Sequence, residues 1–164
     1  MGSYKEVYEI EFITRTRKIL NDYNKRKSGY KLTLLLNCLV GLIILPDQRM
    51  PFGKPPFWDT EISQIPLFQT AKINPTWSSN SRHTLAQFLR KLRNGIAHQN
   101  IEPINRNNQF VGVKIWNVTP QNVIDCEVEL DRRSLHEFAN FIADQYLHHI
   151  SDQRQKQIVQ KTDG

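Results

Sequence analysis

The chain has 164 residues with 8 prolines and 2 cysteines, and its formal net charge at pH 7 is +6. This length fits one domain with one hydrophobic core, so we expect residues 1–150 to form the domain and residues 151–164 to be a polar tail. The longest apolar stretch, residues 32–45, is shorter than the roughly 18 residues that span a bilayer, and the two cysteines lack metal-site spacing, so we expect a reduced, cytoplasmic chain without a membrane segment.

The positive charge is concentrated in the first part of the chain. Residues 1–99 hold 15 Lys and Arg against 7 Asp and Glu, a net +8, whereas residues 100–130 hold 2 against 4 and residues 131–164 hold 5 of each. A polyanionic partner would therefore meet the first part. The alternative is a charge that serves solubility alone.

Two helices are predicted first, over residues 4–24 and 30–45, with a polar turn around Gly29 between them. The second helix is apolar on nearly all sides, which predicts a central position, and Pro46 is expected to end it. Asn37 is the polar exception, and we expect its side chain to be buried. A buried carboxamide must find hydrogen-bond partners, so Asn37 either ties two helices together or braces a neighbouring site.

Residues 46–80 contain six of the eight prolines, with Phe52, Phe57, Trp58, Phe68 and Trp77 between them. Prolines block regular structure while aromatic side chains favour burial, so the segment is predicted to be an ordered wrapping loop. The aromatics either cover the core or stack on nucleic-acid bases.

A third helix is predicted to begin near Asn80 or Ser81. Its expected buried stripe consists of Leu85, Phe88, Leu89, Leu92 and Ile96. At 100° per residue, Arg90, Asn94 and His98 share an exposed face, with Arg93 beside them. Gly95 costs about 1 kcal/mol relative to alanine within a helix. It indicates either a fraying helix end or the close approach of a second backbone, as from a partner helix.

Alternating apolar residues predict two strands that form a β-hairpin over about residues 110–129. The last helix is predicted to start at a cap formed by Ser134 or, one turn earlier, Asp131. Its predicted core face consists of Leu135, Phe138, Ala139, Ile142, Tyr146 and Ile150. Together these elements predict an all-α fold, an up-and-down four-helix bundle with the hairpin inserted before the last helix.

Residues 93–98 read Arg-Asn-Gly-Ile-Ala-His. They bring a guanidinium, whose planar fork of donors suits phosphate oxygens, close to an imidazole, which transfers protons near neutral pH. Arginine, a polar residue, three further residues and histidine make up the signature of the HEPN superfamily of ribonucleases and RNA-binding domains. The stretch of residues 89–103 resembles small stand-alone HEPN proteins of bacterial plasmids, and the likeness spans about residues 4–150.

The resemblance implies a metal-independent endoribonuclease without cofactors, a toxin or defence effector, whose motif helices pair in a homodimer. His98 would activate the RNA 2′-hydroxyl, and Arg93 would stabilise charge on the phosphate. Asn94 would orient His98 or the phosphate. The further roles implied are RNA binding by Arg90 and Lys91 and support of the motif by Asn37. Expected partners are RNA, a second copy, and an antitoxin or defence-system protein. Two alternatives are a module that binds RNA or protein without cleavage and a dimerisation scaffold without a ligand.

Overall fold

The structure, a computed structural model, describes residues 4–25, 31–49, 54–69, 73–78 and 82–162. Its helices are α1 (Tyr4–Lys25), α2 (Lys31–Arg49), α3 (Pro66–Gln69), α4 (Leu85–Ala97) and α5 (Arg132–Thr162). Its strands are β1 (Thr76–Trp77), β2 (Ile101–Arg106), β3 (Gln109–Val118) and β4 (Ile124–Asp131). The predicted turn at Gly29, Phe52, and the predicted helix start at Asn80 or Ser81 lie outside the described residues.

The strands form one antiparallel sheet in the order β1-β4-β3-β2. The prediction of an all-α fold is therefore wrong, and the chain combines helices with a sheet. Strands β3 and β4 pair with Ile115 opposite Val128 and Val113 opposite Leu130, where the alternation of apolar residues predicted a hairpin. That hairpin is not an insertion in a bundle, since it forms the centre of a sheet that β2 and β1 extend on both sides.

Strand β2 was missed because Pro103 is a poor strand residue. At the edge of a sheet, however, a residue without a backbone N–H leaves no ladder bond broken on the side that faces away from the neighbouring strand. Asn107 and Asn108 then turn the chain into β3 with φ angles of 50° and 57°. Two consecutive residues in this region are typical of the type I′ turn that joins paired strands.

One face of the sheet and the helices enclose the core. Val113, Ile115, Val128 and Leu130 are at most 1% exposed, while Lys114 and Glu127 form a 2.8 Å ion pair on the opposite face. Helix α5 packs against α1 and α2. Its predicted apolar stripe is confirmed, and its buried members are Leu135, Phe138, Ala139, Ile142, Tyr146 and Ile150. Asp131 caps this helix, because its Oδ1 accepts a 2.7 Å bond from the Ser134 backbone N–H.

Helix α2 differs from its prediction in two respects. It continues through Pro46 to Arg49, so the proline does not end it. Asn37 is exposed, whereas its helix neighbours Leu35, Cys38 and Leu39 are buried. The expectation of a buried carboxamide was wrong, because Asn37 lies on a side of α2 that the described residues leave uncovered.

The described part of the segment 54–78, residues 54–69 and 73–78, is ordered by its aromatic and aliphatic side chains. It contains two 3₁₀ turns, Pro56–Asp59 and Ile62–Gln64, followed by α3 and β1. Trp58 is 3% exposed and meets the Tyr146 ring edge-on at a centroid distance of 5.0 Å. Phe68 packs in the same manner against Phe88, at 5.4 Å. These aromatics cover the core, which was one of the two interpretations of their pattern.

The C-terminal segment is helical where the structure describes it. Helix α5 runs without a break to Thr162, and beyond Ile150 its side chains are almost all exposed. The polar tail predicted from residue 151 is therefore the outer end of α5. Within the described residues, no helix has both the length and the apolarity needed to cross a membrane.

Candidate functional site

Helix α4 carries the Arg-x4-His motif, and its first turn is fixed by the preceding segment. Thr84 caps the helix, with its side-chain oxygen accepting from the Gln87 backbone N–H. The Leu85 N–H bonds the Thr60 carbonyl at 3.0 Å. Arg82 pairs with Glu61 at 2.9 Å, and this hydrogen bond lowers the pKa of Glu61 despite the opposing effect of desolvation. The start of the helix thus cannot rotate freely about its axis.

Gly95 sets how closely α4 lies against the sheet. A Cβ at this position would collide with the carbonyl oxygen of Trp116 and lie 3.1 Å from Ile115 Cγ2. The glycine therefore does permit close approach of a second backbone, but that backbone is the chain's own β3. Gly95 is buried within the protomer, so it gives no support for a contact with the motif helix of a second copy.

Lys91, four residues before Gly95, faces the sheet as well. Its ammonium forms an ion pair with Asp125, and the two side chains are only 11% and 15% exposed. Asn117 donates a 2.6 Å hydrogen bond to the other oxygen of Asp125. Desolvation acts to raise the pKa of Asp125, but the hydrogen bonds from Lys91 and Asn117 outweigh it, and the pKa lies below its ordinary value of 3.8.

This ion pair corrects the assignment of Lys91 to RNA binding. The ammonium also lies 5.9 Å from the centroid of the Trp77 ring, so its charge is already engaged by a carboxylate and an aromatic face. Removing it from Asp125 would leave a poorly hydrated carboxylate without its cation. Lys91 ties the motif helix to the sheet.

By the 3.6-residue period Arg93 points away from Lys91, whereas His98, seven residues after Lys91, returns close to the Lys91 side at the C-terminal end of the helix. Arg90 and His98 are exposed, and Arg93 and Asn94 are half-buried. The predicted buried stripe of the helix holds for Leu85, Phe88, Leu89 and Leu92, while Ile96 is half-buried. The predicted site residues therefore do not all share one face: Lys91 is buried against the sheet, and Asn37 is exposed on α2.

His98 is held by the way α4 ends. The Asn100 N–H bonds the Gly95 carbonyl at 2.8 Å, and the Gln99 N–H bonds the Ile96 carbonyl at 3.1 Å. This pair of bonds is a Schellman motif, with Gln99 in the left-handed conformation at φ 60°. The Asn100 carbonyl then accepts from the Trp116 N–H at 3.1 Å, which leads the chain into β2. His98 is thus the C-cap residue, with a fixed backbone and an exposed side chain.

A cavity of about 170 Å³ lies beside Arg90 and Arg93, where α4 meets residues of α2, α5 and the first 3₁₀ turn. Three cationic residues line it, Arg90 and Arg93 from α4 and Lys54 from the segment that precedes the first 3₁₀ turn. Its other lining residues are Ile43, Trp58, Ala86, Gln87, Leu89 and Tyr146. None of the lining residues is acidic, so the cavity attracts anions.

Two of these lining residues, Lys54 and Gln87, were not found by sequence reasoning. Lys54 is 36 residues before Arg90 in the sequence and belongs to a segment that was interpreted through its aromatic residues. The tertiary structure brings Lys54 to α4. Gln87 does have a signal in the sequence, because it lies three residues before Arg90 and six before Arg93 on the same helix. The prediction followed the i, i+4 spacing from Arg90 towards the C-terminus and did not extend it in the other direction.

Residues 1–153 match the family model described as HEPN pEK499 p136. The chain belongs to this HEPN family. The resemblance to small plasmid-type HEPN proteins is thereby confirmed, and the family association is with nuclease or RNA-binding modules. Comparison with curated proteins and with solved structures gives no match.

The remaining candidate groups of this HEPN protein do not form a second site. Cys38 and Cys126 are buried, and burial raises the pKa of both thiols, to about 12 for Cys126. His148 is exposed while the adjacent His149 is buried, so the two rings face different surroundings. Among the described residues, no group of three or more His, Cys, Asp or Glu is placed to hold a metal ion.

Proposed function

We propose that this HEPN protein is a metal-independent endoribonuclease that cleaves RNA at the outer face of α4. The observation that carries the proposal is the position of the motif beside a cationic cavity. Arg93 lines the cavity with Arg90 and Lys54, and His98 is exposed at the C-cap of the same helix. An RNA backbone bound to the cations would pass the imidazole.

The proposed reaction is an internal transesterification. His98 takes the proton of a ribose 2′-hydroxyl, and the oxygen attacks the adjacent phosphorus. The bond from phosphorus to the 5′-oxygen of the next nucleotide breaks, which leaves a 2′,3′-cyclic phosphate and a 5′-hydroxyl end. Arg93 stabilises the charge that develops on the phosphorane oxygens. Asn94, one helical turn from both Arg90 and His98, orients the imidazole or the phosphate.

The leaving oxygen needs a proton, and we propose that the imidazole of a second copy supplies it. The motif of one protomer contains a single histidine. The exposed surface around His98 and Arg90 would pair with its equivalent across a two-fold axis, with Gly95 buried beneath it rather than at the axis. Roles as a toxin or defence effector, and an antitoxin or defence-system partner, remain proposals that follow from the nuclease activity.

The test is incubation of the purified protein with single-stranded RNA in EDTA, with analysis of the product ends. We expect cleavage with cyclic phosphate ends by the wild type and none by His98→Ala. Arg93→Lys should be strongly impaired, since an ammonium keeps the charge but loses the fork geometry. His148→Ala removes an exposed histidine from α5 and is the matched control, with full activity expected.

Thermal melting accompanies each variant. Because His98 is exposed, His98→Ala should melt within a few degrees of the wild type. Cleavage that His98→Ala retains, or that EDTA removes, would contradict the proposal.

The alternative function is an RNA-binding HEPN module without turnover. The cavity supports this alternative, because its three cations are enough to bind RNA and no imidazole lines it. Salt-sensitive RNA binding without product formation by the wild type would identify this case. Absence of any RNA binding would leave the dimerisation scaffold.

A further inference from the structure

We infer that the cavity lined by Lys54, Gln87, Arg90 and Arg93 is a nucleotide pocket that holds the RNA nucleotide next to the cleaved bond. In this inference the cations bind its phosphate, and Gln87 accepts a hydrogen bond from its ribose or base. The inference rests on the proposed function, because it takes RNA as the ligand. It adds a binding site with two residues, Lys54 and Gln87, that lie outside the Arg-x4-His motif.

The charge of the cavity argues for a phosphate. Arg90 and Arg93 lie three residues apart on α4, a rise of about 4.5 Å, and therefore face the same side of the helix. Lys54 reaches this side from a different part of the chain. The three side chains bring cationic groups to one concave surface that has no acidic lining residue, and such a surface favours a bound anion. Arginine forks and a lysine ammonium are the side chains that bind phosphate oxygens.

Gln87 argues for a ligand that is more than a phosphate. Its Oε1 is buried and has no hydrogen-bond partner among the protein groups that the structure describes. A buried carbonyl oxygen without a donor costs about 1–3 kcal/mol, and such atoms in folded proteins generally have a partner. A backbone phosphodiester offers only acceptors, whereas the ribose and base of a nucleotide also carry hydroxyl and N–H donors. A ligand with an anionic end and a donor satisfies the cations and Gln87 together.

The size and position of the cavity fit one nucleotide unit of a longer chain. A volume of about 170 Å³ admits a phosphate with part of its sugar or base, and the cavity lies along the helix that ends at His98. Trp58 and Tyr146, packed edge-on to each other, give it a rigid apolar floor. Arg93 is part of both the pocket and the Arg-x4-His motif. It lines the pocket and lies five residues, or about 7.5 Å of helical rise, before His98.

The experiment measures RNA binding without cleavage. In a His98→Ala background, fluorescence anisotropy gives the Kd of a short fluorescein-labelled single-stranded RNA over a range of salt concentrations. The test variants are Lys54→Gln and Gln87→Leu. The matched controls are Lys156→Gln and Gln155→Leu, which make the same changes at exposed positions on the outer end of α5. Inorganic phosphate and a 3′-nucleoside monophosphate serve as separate competitors.

Lys54→Gln should raise the Kd about tenfold and lower the salt dependence by about 0.7 in log–log slope, as for one lost phosphate contact. Gln87→Leu should raise the Kd about fivefold with the slope unchanged, because a neutral hydrogen bond is lost. The controls should stay within about twofold of the parent. The nucleotide should compete better than inorganic phosphate against the parent, and this advantage should disappear in Gln87→Leu.

Equal Kd values for the test and control variants would overturn the inference, as would equal competition by phosphate and nucleotide against the parent. A photoreactive uridine in the RNA provides a measurement independent of mutation. Crosslinks are expected to residues 54–58 and 86–93, and crosslinks confined to other segments would count against the pocket.

The cleavage assay separates the two proposals. If the wild-type protein binds RNA in the pocket but never cleaves it, the proposed nuclease activity is wrong and the pocket stands. If the wild type cleaves RNA and the Lys54 and Gln87 variants bind it unchanged, the nuclease activity stands and the pocket is wrong.

Discussion

Lys91 illustrates, at the scale of single residues, how one step along a helix changes the role of a charge. Arg90 and Lys91 are adjacent cations beside a nuclease-type motif, and both were expected to bind RNA. Adjacent helical residues differ by 100° in direction. That rotation takes Arg90 to the outer cavity and Lys91 into an ion pair with Asp125.

Asp125→Asn should lower the free energy of unfolding by about 3 kcal/mol at neutral pH, since it leaves the ammonium of Lys91 poorly hydrated and without its counter-charge. The pKa of Asp125 is lowered in the folded protein, so its contribution to stability is fully present above the ordinary value of 3.8 and is lost as the pH falls through the lowered native pKa. Urea unfolding of the wild type and the variant should therefore give curves that converge in acid.

Glu129→Gln is the control for this prediction, because Glu129 lies exposed on the same strand. It should change the stability by about 0.5 kcal/mol or less. If Asp125→Asn proves no more costly than this control, the ion pair does not hold α4 to the sheet.

At the scale of elements, the contact between α4 and β3 decides where the motif lies. The Trp116 carbonyl oxygen occupies the space that a Cβ at position 95 would need. A helix this close to a strand cannot shift along it without a clash, so the C-cap that carries His98 is positioned by the sheet. The sheet, which the sequence did not predict in full, is thus part of the motif's support.

Gly95→Ala should therefore destabilise the protein by about 3 kcal/mol, the upper part of the usual range for overpacking, and reduce RNA cleavage in the fraction that remains folded. Gly41→Ala is the matched control. A Cβ at Gly41 in α2 would meet only the tip of the Phe12 ring, at 3.0 Å, which can move aside. Alanine also gains about 1 kcal/mol of helix propensity over glycine, so this control should be close to neutral.

Thermal melts of the two alanine variants give the comparison directly. Equal melting temperatures would mean that α4 can move away from β3 at little cost, and the positioning of His98 by the sheet would have to be abandoned.

For the whole molecule, the open question is how many protomers make one active site. One imidazole per motif and an exposed α4 surface led us to propose a homodimer with two His98 side chains in one cleft. Gly95 gives no support for that arrangement, because it is buried against β3 of its own protomer. The need for both a base and an acid in transesterification remains as its reason.

Mixing wild-type and His98→Ala protein tests the composite site. If both imidazoles of a two-fold dimer are required, an equimolar mixture that has exchanged subunits should retain about a quarter of the activity of the same total amount of wild type. Independent sites would retain about half. Light scattering of each protein at micromolar concentration gives the oligomeric state, and a monomer would contradict the composite site whatever the mixing result.

The sequence by itself determined the features that depend on neighbours along the chain. The apolar stripes of α4 and α5, the hairpin of β3 and β4, and the cap at Asp131 all follow from residues within a few positions of one another. The family also follows from a short motif, Arg93 to His98, with its flanking residues. These predictions succeeded because helical and strand periodicity is a local property.

Only the tertiary structure decided which side of each element is covered. Asn37 is exposed because none of the described elements packs on its side of α2, and Lys91 is buried because the sheet lies beneath it. Strand β2 forms despite Pro103 because it has a neighbour on one edge alone, and the two-residue β1 exists through its pairing with β4. Lys54 reaches Arg90 across 36 residues of sequence. Each of these outcomes depends on contacts between distant segments, whose free energy outweighs the local preference of the residues concerned.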